Sequence, residues 1–564
     1  MSTAATTVNH AATRDEAHVE TDQQMWTIKG QLITSLAALG LGGFIGMFQA
    51  IERIQITLPP FGPFENYYQG LTFHGVLLAF VFTFGFANSF VSWTTMRGFG
   101  RPLRSNMLAQ GSFWLLLGGT VLGAIILTLN EATVLFTFYA PMQAHSTFYL
   151  AAVFLVLSTW ATLANIVLTY RAWRAEHPTE AVPLMGFVSI TTYIMWGLAS
   201  LGVAILVLGM LLPWSLGIMD NTDPQLGRTL FWLTGHAIVY FWLLPVYISW
   251  YMMIPKQVGG RLYSDGLTRF VFILFLLFSI PTGLHHQYTD PGIHEGMKSI
   301  HLLLTFVIFY PSLITAFTIM AALEHGGRRA GGKGLFGWVM ALPWNNPAVV
   351  AQLLAMLVFT LGGVTGLVNA SLTVNMVIHN TAFVPGHFHL TVGTAVALSV
   401  LGICYWFVPY LLQKPLFSPK LALWQAWLWA IGVLIFSRGQ MSGGLDAQPR
   451  RTMLGEASYS LPGWEVANWL TAIGGVVMTI SGLLFFVVMI GTFLNKRAET
   501  PEERGALDPP MPDPPIHDHR KSWKVFDRLG FWTLVAFILI LIAYIPVLML
   551  YLPAEFSSPG VRVW

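Results

Sequence analysis

Long apolar stretches alternate with short polar segments along almost the whole chain, and residues within the stretches do not alternate between apolar and polar positions. A helix of about 20 apolar residues crosses a hydrocarbon core of about 30 Å, whereas a transmembrane strand shows strict alternation. The pattern therefore predicts an all-α, polytopic transmembrane bundle. About thirteen spans can be counted, at 31–51, 70–95, 107–129, 144–170, 190–212, 228–253, 268–286, 298–323, 347–372, 384–411, 422–443, 466–493 and 530–552.

Composition supports a membrane protein and suggests how the chain is divided. Of its 564 residues 55% are hydrophobic and 10% charged, against roughly 25% charged in soluble domains. The first 28 residues are polar and acidic, unlike the basic start of a cleaved signal peptide, so span 1 is expected to be an uncleaved anchor. We predict a polar tail at 1–28, a twelve-span core at 29–493, a Pro-rich linker at 494–527, and a thirteenth span with an outer tail at 528–564.

The distribution of positive charge predicts the orientation of the chain. With the N-terminus inside, about three-quarters of the 29 lysines and arginines fall in inner segments, which is a firm positive-inside bias. An odd number of spans then places the C-terminus outside. The net charge of +3 reflects this topology and gives no indication of nucleic-acid binding.

Six of the sixteen histidines are predicted to lie at one depth, in the outer third of the membrane. Ionisable side chains inside a membrane are costly and usually mark function, and clustered imidazoles suit iron, copper, zinc or nickel. Residues two apart on a helix point about 200° apart, so the two histidines of span 10 face different neighbours. Six imidazoles would suffice for one haem with two ligands, one haem with a single ligand, and one copper with three. The six are His74, His236, His285, His286, His387 and His389.

Four motifs resemble one family in order and position. They are "GHAIVYFWLLP", "GLHHQYTDPGIH", "HNTAFVPGHFHL" and "AQPRR". They resemble subunit I of the haem–copper oxygen reductases, and most of all the B-type branch, the cytochrome ba-three type of cytochrome c oxidase. The resemblance covers essentially the entire chain, and it implies a bacterial or archaeal plasma membrane with the C-terminus on the periplasmic or outer side. It implies a proton-translocating enzyme that reduces O₂ to water with electrons from cytochrome c.

The resemblance also implies a role for each metal-ligating histidine. His74 and His389 correspond to the two axial ligands of a low-spin haem, expected to be b-type. His387 corresponds to the single proximal ligand of a high-spin haem, expected to be a-type. The three remaining histidines, His236, His285 and His286, correspond to the ligands of a copper ion.

Further side chains near these histidines have counterparts in the family. Tyr240 lies four residues after His236, on the same helical face, and in the family the two are covalently joined. Arg450, Arg451 and His379 correspond to residues beside the haem propionates, and two arginines in an outer loop suit carboxylate partners.

Two rows of hydroxyl groups extend inward from Tyr240 and resemble the single, lysine-free proton pathway of the B-type branch. Tyr247 and Tyr251 lie on span 6, and Ser312, Thr315 and Thr318 recur every three residues on span 8. Such hydroxyls can hold a chain of waters, although serine and threonine also bond helix to helix.

Three positions depart from relatives within the family. Ile238 stands where the A-type branch has glutamate, which argues against a proton route ending there. Asn375 stands where near relatives carry aspartate, and Ala237 replaces a usual proline.

The sequence leaves several functions and partners open. A quinol oxidase shares the fold, and nothing in this subunit distinguishes a quinol donor from cytochrome c. A nitric oxide reductase would lack the histidine-linked tyrosine, Tyr240. An electron conduit that holds only haem would not need the adjacent histidines His285 and His286. Because Cys404 is the only cysteine, a binuclear copper centre would have to be on a partner subunit II. A small single-span subunit, cytochrome c, O₂ and membrane lipid are the other expected partners.

Overall fold

Long helices dominate the computed structural model, which describes residues 19–56, 65–518, 524–551 and 556–564. Twelve helices in these ranges are long and apolar enough to cross a membrane. With one shorter helix, α7, the thirteen in chain order are α1 (Asp22–Glu52), α2 (Tyr67–Phe99), α3 (Asn106–Thr128), α4 (Ser146–Glu176), α5 (Leu184–Ser215), α6 (Pro224–Gln257), α7 (Asp265–Phe278), α8 (Glu295–Arg329), α9 (Pro347–Ala370), α10 (Phe383–Leu412), α11 (Pro419–Leu445), α12 (Pro462–Leu494) and α13 (Leu529–Leu550).

The predicted span 268–286 differs from the observed structure, because its helix is short. Helix α7 has 14 residues and gives way to a 3-10 turn at Gly283–Gln287. Pro281, which has no backbone N–H to continue a helix, stands between the two. The turn places His285 beside His236 of α6. His236 lies about 30 Å along α6 from Gln257, where α6 ends, so α7 and the turn together run back along most of α6. The all-α bundle is confirmed, with this pass made by a helix and a turn.

The C-terminal tail lies on the same face of the bundle as two connections that the sequence-based topology predicts to be outside. Val561–Arg562 forms a parallel two-residue ladder with Met142–Gln143, between α3 and α4. Ser558 pairs with Thr222, between α5 and α6. On the opposite face, His517 of the predicted linker pairs with Ser264, between α6 and α7. This alternation is the one expected for an odd number of passes.

The two predicted polar segments are partly ordered against the bundle. Helix α1 begins at Asp22, inside the tail predicted at 1–28, and the Thr21 hydroxyl accepts a hydrogen bond from the Gln24 N–H at the first turn. Glu20 accepts hydrogen bonds from Trp93 and Tyr410. The linker contains a short helix at Pro501–Gly505. Residues 1–18 of the tail, 519–523 of the linker and 552–555 after α13 lie outside the described ranges.

Three local irregularities in the helices fall next to the histidines, whereas a further π-helical turn, at Val207–Leu211 of α5, does not. A wide, π-helical turn at Leu77–Phe82 follows His74, and another at Thr391–Val396 follows His389. Helix α6 is interrupted at His236, between the regular segments Pro224–Gly235 and Ala237–Met252. Such bulges change the direction of side chains and occur often at functional sites. Two short helices, Gly337–Met340 and Leu372–Ile378, lie in connections on either side of α9.

Candidate haem and metal site

Three histidines from two segments converge on one point. Their candidate ligand atoms all lie within 4.8 Å of one another, and the group contains neither carboxylate nor thiolate. His236 Nδ1 lies 3.2 Å from His286 Nε2, and His285 Nε2 lies 3.0 Å from the same atom. Three imidazole nitrogens facing one point suit a soft-to-intermediate transition metal such as copper.

Contacts behind the trio orient two of its rings. The Thr305 hydroxyl donates to the His301 carbonyl at 2.6 Å, so it accepts from His285 Nδ1 at 2.7 Å. His285 Nδ1 therefore carries the hydrogen, and its Nε2 lone pair faces the other two histidines. The His286 ring stacks on Trp232, with ring centres 3.9 Å apart. Such partners fix the tautomer and orientation of metal-ligating histidines.

Tyr240 lies beside the trio as the i,i+4 spacing predicts. Its ring centre is 4.9 Å from that of His236, with the planes at 68°. His236 directs Nδ1 toward His286, and its buried Nε2 has no hydrogen-bond partner among the described residues. This arrangement leaves the second nitrogen of His236 free for an interaction with the phenol ring.

His74 and His389 face each other from α2 and α10. Their ring planes are within 15° of parallel and their centres are 6.4 Å apart. Their Nδ1 atoms bond to the backbone carbonyls of Gly42 and Pro385, at 2.8 and 2.7 Å, which leaves both Nε2 atoms free. A metal ion bound by both Nε2 atoms would place the two ring centres about 6.4 Å apart, because each metal–nitrogen bond is about 2.1 Å long and each nitrogen lies about 1.1 Å from its ring centre. The spacing therefore fits one metal ion between the rings.

His387 points to a different neighbour from His389, as their two-residue spacing predicts. Its Nδ1 lies 2.9 Å from the Thr365 hydroxyl on α9, which itself donates to the Gly362 carbonyl at 2.9 Å. The Thr365 oxygen must then accept from His387 Nδ1, so the lone pair is on Nε2. His389 instead contacts Phe436 of α11, with ring centres 4.5 Å apart.

One cavity of about 790 Å³ is lined by all six histidines, Tyr240 and the two arginines. This volume is within the range of cofactor sites, about 300–1,000 Å³. Glycines keep space open beside two of the rings. A Cβ at Gly46 would lie 2.7 Å from His74, and one at Gly366 would lie 3.2 Å from His387. Large planar groups held by these histidines fit such a cavity.

The two arginines present unpaired donors to this cavity. Arg450 donates to Asn380 at 2.7 Å, but its buried Nε has no partner among the described residues. Arg451 has one 3.5 Å side-chain hydrogen bond there, to Thr137, and lies over the Phe136 ring. No ion pair joins either arginine to a carboxylate within the part of the chain that is described. Burial, and then the neighbouring Arg451 charge, lowers the pKa of Arg450 to about 9. A carboxylate-bearing ligand would compensate both effects.

His379 lies at the same edge of the cavity. Its Nδ1 is 3.0 Å from the Asn375 side-chain oxygen, so it is the Nδ1–H that donates. Burial, followed by the Arg450 charge, lowers the pKa of His379 to about 4, and its ring is therefore neutral at pH 7. A neutral donor–acceptor histidine here is consistent with a role beside carboxylates.

The two predicted hydroxyl rows meet across α6 and α8. Tyr251 donates to Thr315 at 2.8 Å, and Tyr247 lies 3.5 Å from Ser312. Thr315 and Thr318 donate to carbonyls one turn back on their own helix. Tyr240 is connected to these rows only through packing, since its ring and that of Tyr247 both contact Phe275.

Several residues of the site were not found from the sequence. His301 and Thr305 lie four apart on span 8, a spacing that could have indicated a face directed at the trio. Thr365 and Trp232 carry no distinguishing pattern among the many threonines and tryptophans of the spans. The carbonyls of Gly42 and Pro385 have no side-chain signal at all.

A helical membrane bundle with a histidine trio, a single histidine in the same cavity and a pair of near-parallel histidines has the architecture of the haem–copper oxidases. A family model, Cytochrome C and Quinol oxidase polypeptide I, matches residues 27–477, and the chain belongs to this family. It is therefore a membrane-embedded haem–copper oxidase subunit I. Membership implies haem and copper as cofactors and a partner subunit II.

Relatives and a solved structure extend the match over nearly the whole chain. Cytochrome c oxidase subunit 1 of Thermus thermophilus is 42% identical over 544 residues, covering 94% of this chain and 96% of the relative. A probable quinol oxidase subunit 1 of Staphylococcus aureus is 27% identical over 79% of this chain and 67% of its own length. A haem–copper terminal oxidase dimer solved by cryo-EM superimposes with a TM-score of 0.92, at 36% identity, over 96% of both chains.

Proposed function

We propose that this chain is the catalytic subunit I of a terminal respiratory oxidase that reduces O₂ to water with electrons from cytochrome c and couples this to proton translocation. The convergence of His236, His285 and His286 in a cavity shared with His387 carries the proposal. The higher identity to a cytochrome c oxidase than to quinol oxidases supports cytochrome c as the donor.

Each histidine group has a proposed cofactor. His74 and His389 would together hold a low-spin haem, b-type, which would relay electrons. His387 would hold a high-spin haem, a-type, in the cavity that it shares with the trio. The trio would hold copper. When bound, these groups supply the electron transfer and oxygen chemistry that side chains alone cannot perform.

The remaining side chains of the site bind the haem propionates or carry protons. Arg450 and Arg451 donate to the haem propionates, with His379 beside them. Tyr240, held against His236, supplies a proton from its hydroxyl group at the reaction site. Tyr247, Tyr251, Ser312, Thr315 and Thr318 carry protons to Tyr240 from the inner face, with water completing the gaps between hydroxyls.

Replacing Thr315 with valine is expected to slow proton-coupled turnover while leaving haem spectra unchanged. The change leaves the buried Tyr251 hydroxyl without its acceptor, at a cost of about 1–3 kcal/mol, and the same amount added to the proton-transfer barrier corresponds to a rate about 5- to 150-fold lower. Stopped-flow oxygen reduction in H₂O and D₂O measures the effect. Thr315→Ser keeps the hydroxyl and should behave like the wild type; unchanged kinetics in the valine variant would show that this row only packs.

Replacing Thr365 with valine is expected to raise the midpoint potential of the high-spin haem. Without the hydroxyl acceptor, His387 Nδ1–H is less polarised and the ring donates less electron density to ferric iron. A hydrogen bond of about 1 kcal/mol corresponds to a shift of about 40 mV. Spectroelectrochemical titration measures the shift, with Thr365→Ser as the matched control. Equal potentials in both variants and the wild type would rule out this contact as a determinant.

The proposed partners and orientation follow from charge and cysteine content. Electrons arrive on the outer side through a subunit II that carries the binuclear copper centre, because this chain has one cysteine. A small single-span subunit completes the complex. The N-terminus lies in the cytoplasm and the C-terminus on the periplasmic or outer side of a plasma membrane.

Activity assays on the purified complex, with metal analysis and a pyridine haemochrome spectrum, test the proposal. We expect two haems per chain, copper, and oxygen uptake driven by reduced cytochrome c. Oxygen uptake driven by quinol but not by cytochrome c would show that quinol is the electron donor. Haem without copper would exclude the oxidase and favour an electron conduit.

A further inference from the structure

Helix α13 lies beyond the family match, which ends at residue 477, yet it reaches the turn that carries two trio histidines. Tyr544 is the residue of α13 that makes this contact. Its side chain is almost fully buried, with 1% exposed. A hydroxyl group in that position must have hydrogen-bond partners, and it finds them in the backbone before His285.

The Tyr544 hydroxyl bonds to both ends of the short connection from Ile280 to Gly283, which leads from α7 into this turn. It accepts from the Gly283 N–H at 3.1 Å and donates to the Ile280 carbonyl at 3.1 Å, with the Trp232 carbonyl 3.4 Å away. Gly283 has no room for a side chain, because a Cβ would collide with the Trp232 carbonyl and the Tyr544 hydroxyl. One phenol group therefore holds the segment between α7 and His285 against α6.

A second chain of contacts from α13 reaches the next residue. The Ala543 carbonyl lies 3.2 Å from His301 Nε2, so this nitrogen is the one that donates. His301 Nδ1 is then an acceptor, and it receives the Leu284 N–H at 3.3 Å. The Tyr544 ring packs edge-on against His301, with ring centres 5.3 Å apart. The Gly283 N–H thus bonds to α13 directly, and the Leu284 N–H bonds to His301, which in turn bonds to α13.

The turn needs such external partners because it is not part of a regular helix. Helix α7 ends at Phe278, and Pro281 prevents its continuation. Buried backbone donors outside regular structure must bond to other groups or lose their hydration without compensation. The direction in which His285 and His286 leave this turn is consequently set by its contacts with α13, α8 and α6.

We propose that Tyr544 is a positioning residue for the copper ligands His285 and His286, and that α13 serves as a brace for the copper site. The inference rests on the proposed function, since it assumes that the trio holds copper. Tyr544 does not touch the trio; it acts through the backbone of Ile280–Leu284.

Tyr544→Phe in the intact complex tests the proposal, because it deletes both hydroxyl bonds and keeps the ring against His301. Tyr405→Phe is the matched control: Tyr405 is also buried and bonds through its hydroxyl to one partner, Gln425, at 2.6 Å. Both variants and the wild type are reduced, bound to CO, and exposed to a copper chelator. The infrared band of CO on the trio copper reports its environment and occupancy, and the low-spin haem spectrum reports the fold.

We expect the CO band of Tyr544→Phe to shift and to decay about tenfold faster than in the wild type, as when outer partners of a metal site are lost. Tyr405→Phe should match the wild type, and the low-spin haem spectrum should be the same in all three. An unchanged band and decay in Tyr544→Phe would overturn the inference, as would equal losses in both variants or a concurrent loss of low-spin haem. A wild-type enzyme without the CO band would refute the proposed function instead.

Discussion

His285→Ala is expected to remove copper from the trio and to abolish oxygen reduction, while the low-spin haem spectrum stays intact. The variant leaves two ligands where three converge within 4.8 Å. Loss of a partner behind a ligand already lowers metal affinity by about 10–100-fold, so loss of the ligand itself should exceed about 100-fold. Copper analysis, optical spectra and oxygen uptake on the purified variant measure these effects.

The control for this prediction is a histidine that lies far from the cavity. His177, at the end of α4, stacks on Trp173 and can be replaced with alanine. Copper, both haem spectra and activity should be unaltered in that variant. Full copper occupancy in His285→Ala would contradict the assignment of His285 as a ligand.

Tyr240→Phe is expected to retain both haems and the copper, yet to lose multi-turnover oxygen reduction. The phenol lies beside His236 and is the proposed source of a proton at the reaction site. A positioned acid–base group contributes about 10²–10⁴-fold to a rate, and a loss of that order is predicted. Steady-state oxygen uptake measures the loss of turnover, and analysis of haem and copper content measures the retention of the cofactors.

Tyr193→Phe provides a buried tyrosine control for this experiment. Its hydroxyl donates to Asn88 at 2.7 Å and does not line the cavity. The control should turn over at close to the wild-type rate. Normal turnover of Tyr240→Phe would show that the tyrosine has no part in the reaction.

The helices were predictable because a membrane imposes length and hydropathy on each span. The histidine positions were predictable for a related reason: an imidazole in an apolar span stands out against its surroundings, and charge bias then gives its depth. The opposite directions of His387 and His389 followed from helical geometry alone. The structure brings together the residues that these arguments singled out.

Other features depend on contacts between segments that are far apart in sequence. The length of α7 was overestimated because the apolar pattern continues past Phe278, where Pro281 and the turn at Gly283 end the helix. The π-helical turns after His74 and His389 were likewise not predicted, because no local sequence pattern marks them.

The residues that hydrogen-bond the metal-ligating histidines, or the turn that carries two of them, could not be predicted for the same reason. Thr365 and Thr305 are ordinary residues of apolar helices until their neighbours are known. Tyr544 lies more than 250 residues after Gly283, and the hydrogen bond between them spans 261 positions. No spacing rule connects such residues, so only the folded chain reveals that α13 supports the trio.

Anomalous diffraction from crystals of the purified complex, at the iron and copper absorption edges, tests the central claim most directly. The account predicts one iron between His74 and His389, a second iron at His387, and one copper among His236, His285 and His286. Iron or zinc in place of copper at the trio, or the absence of an iron between His74 and His389, would contradict it.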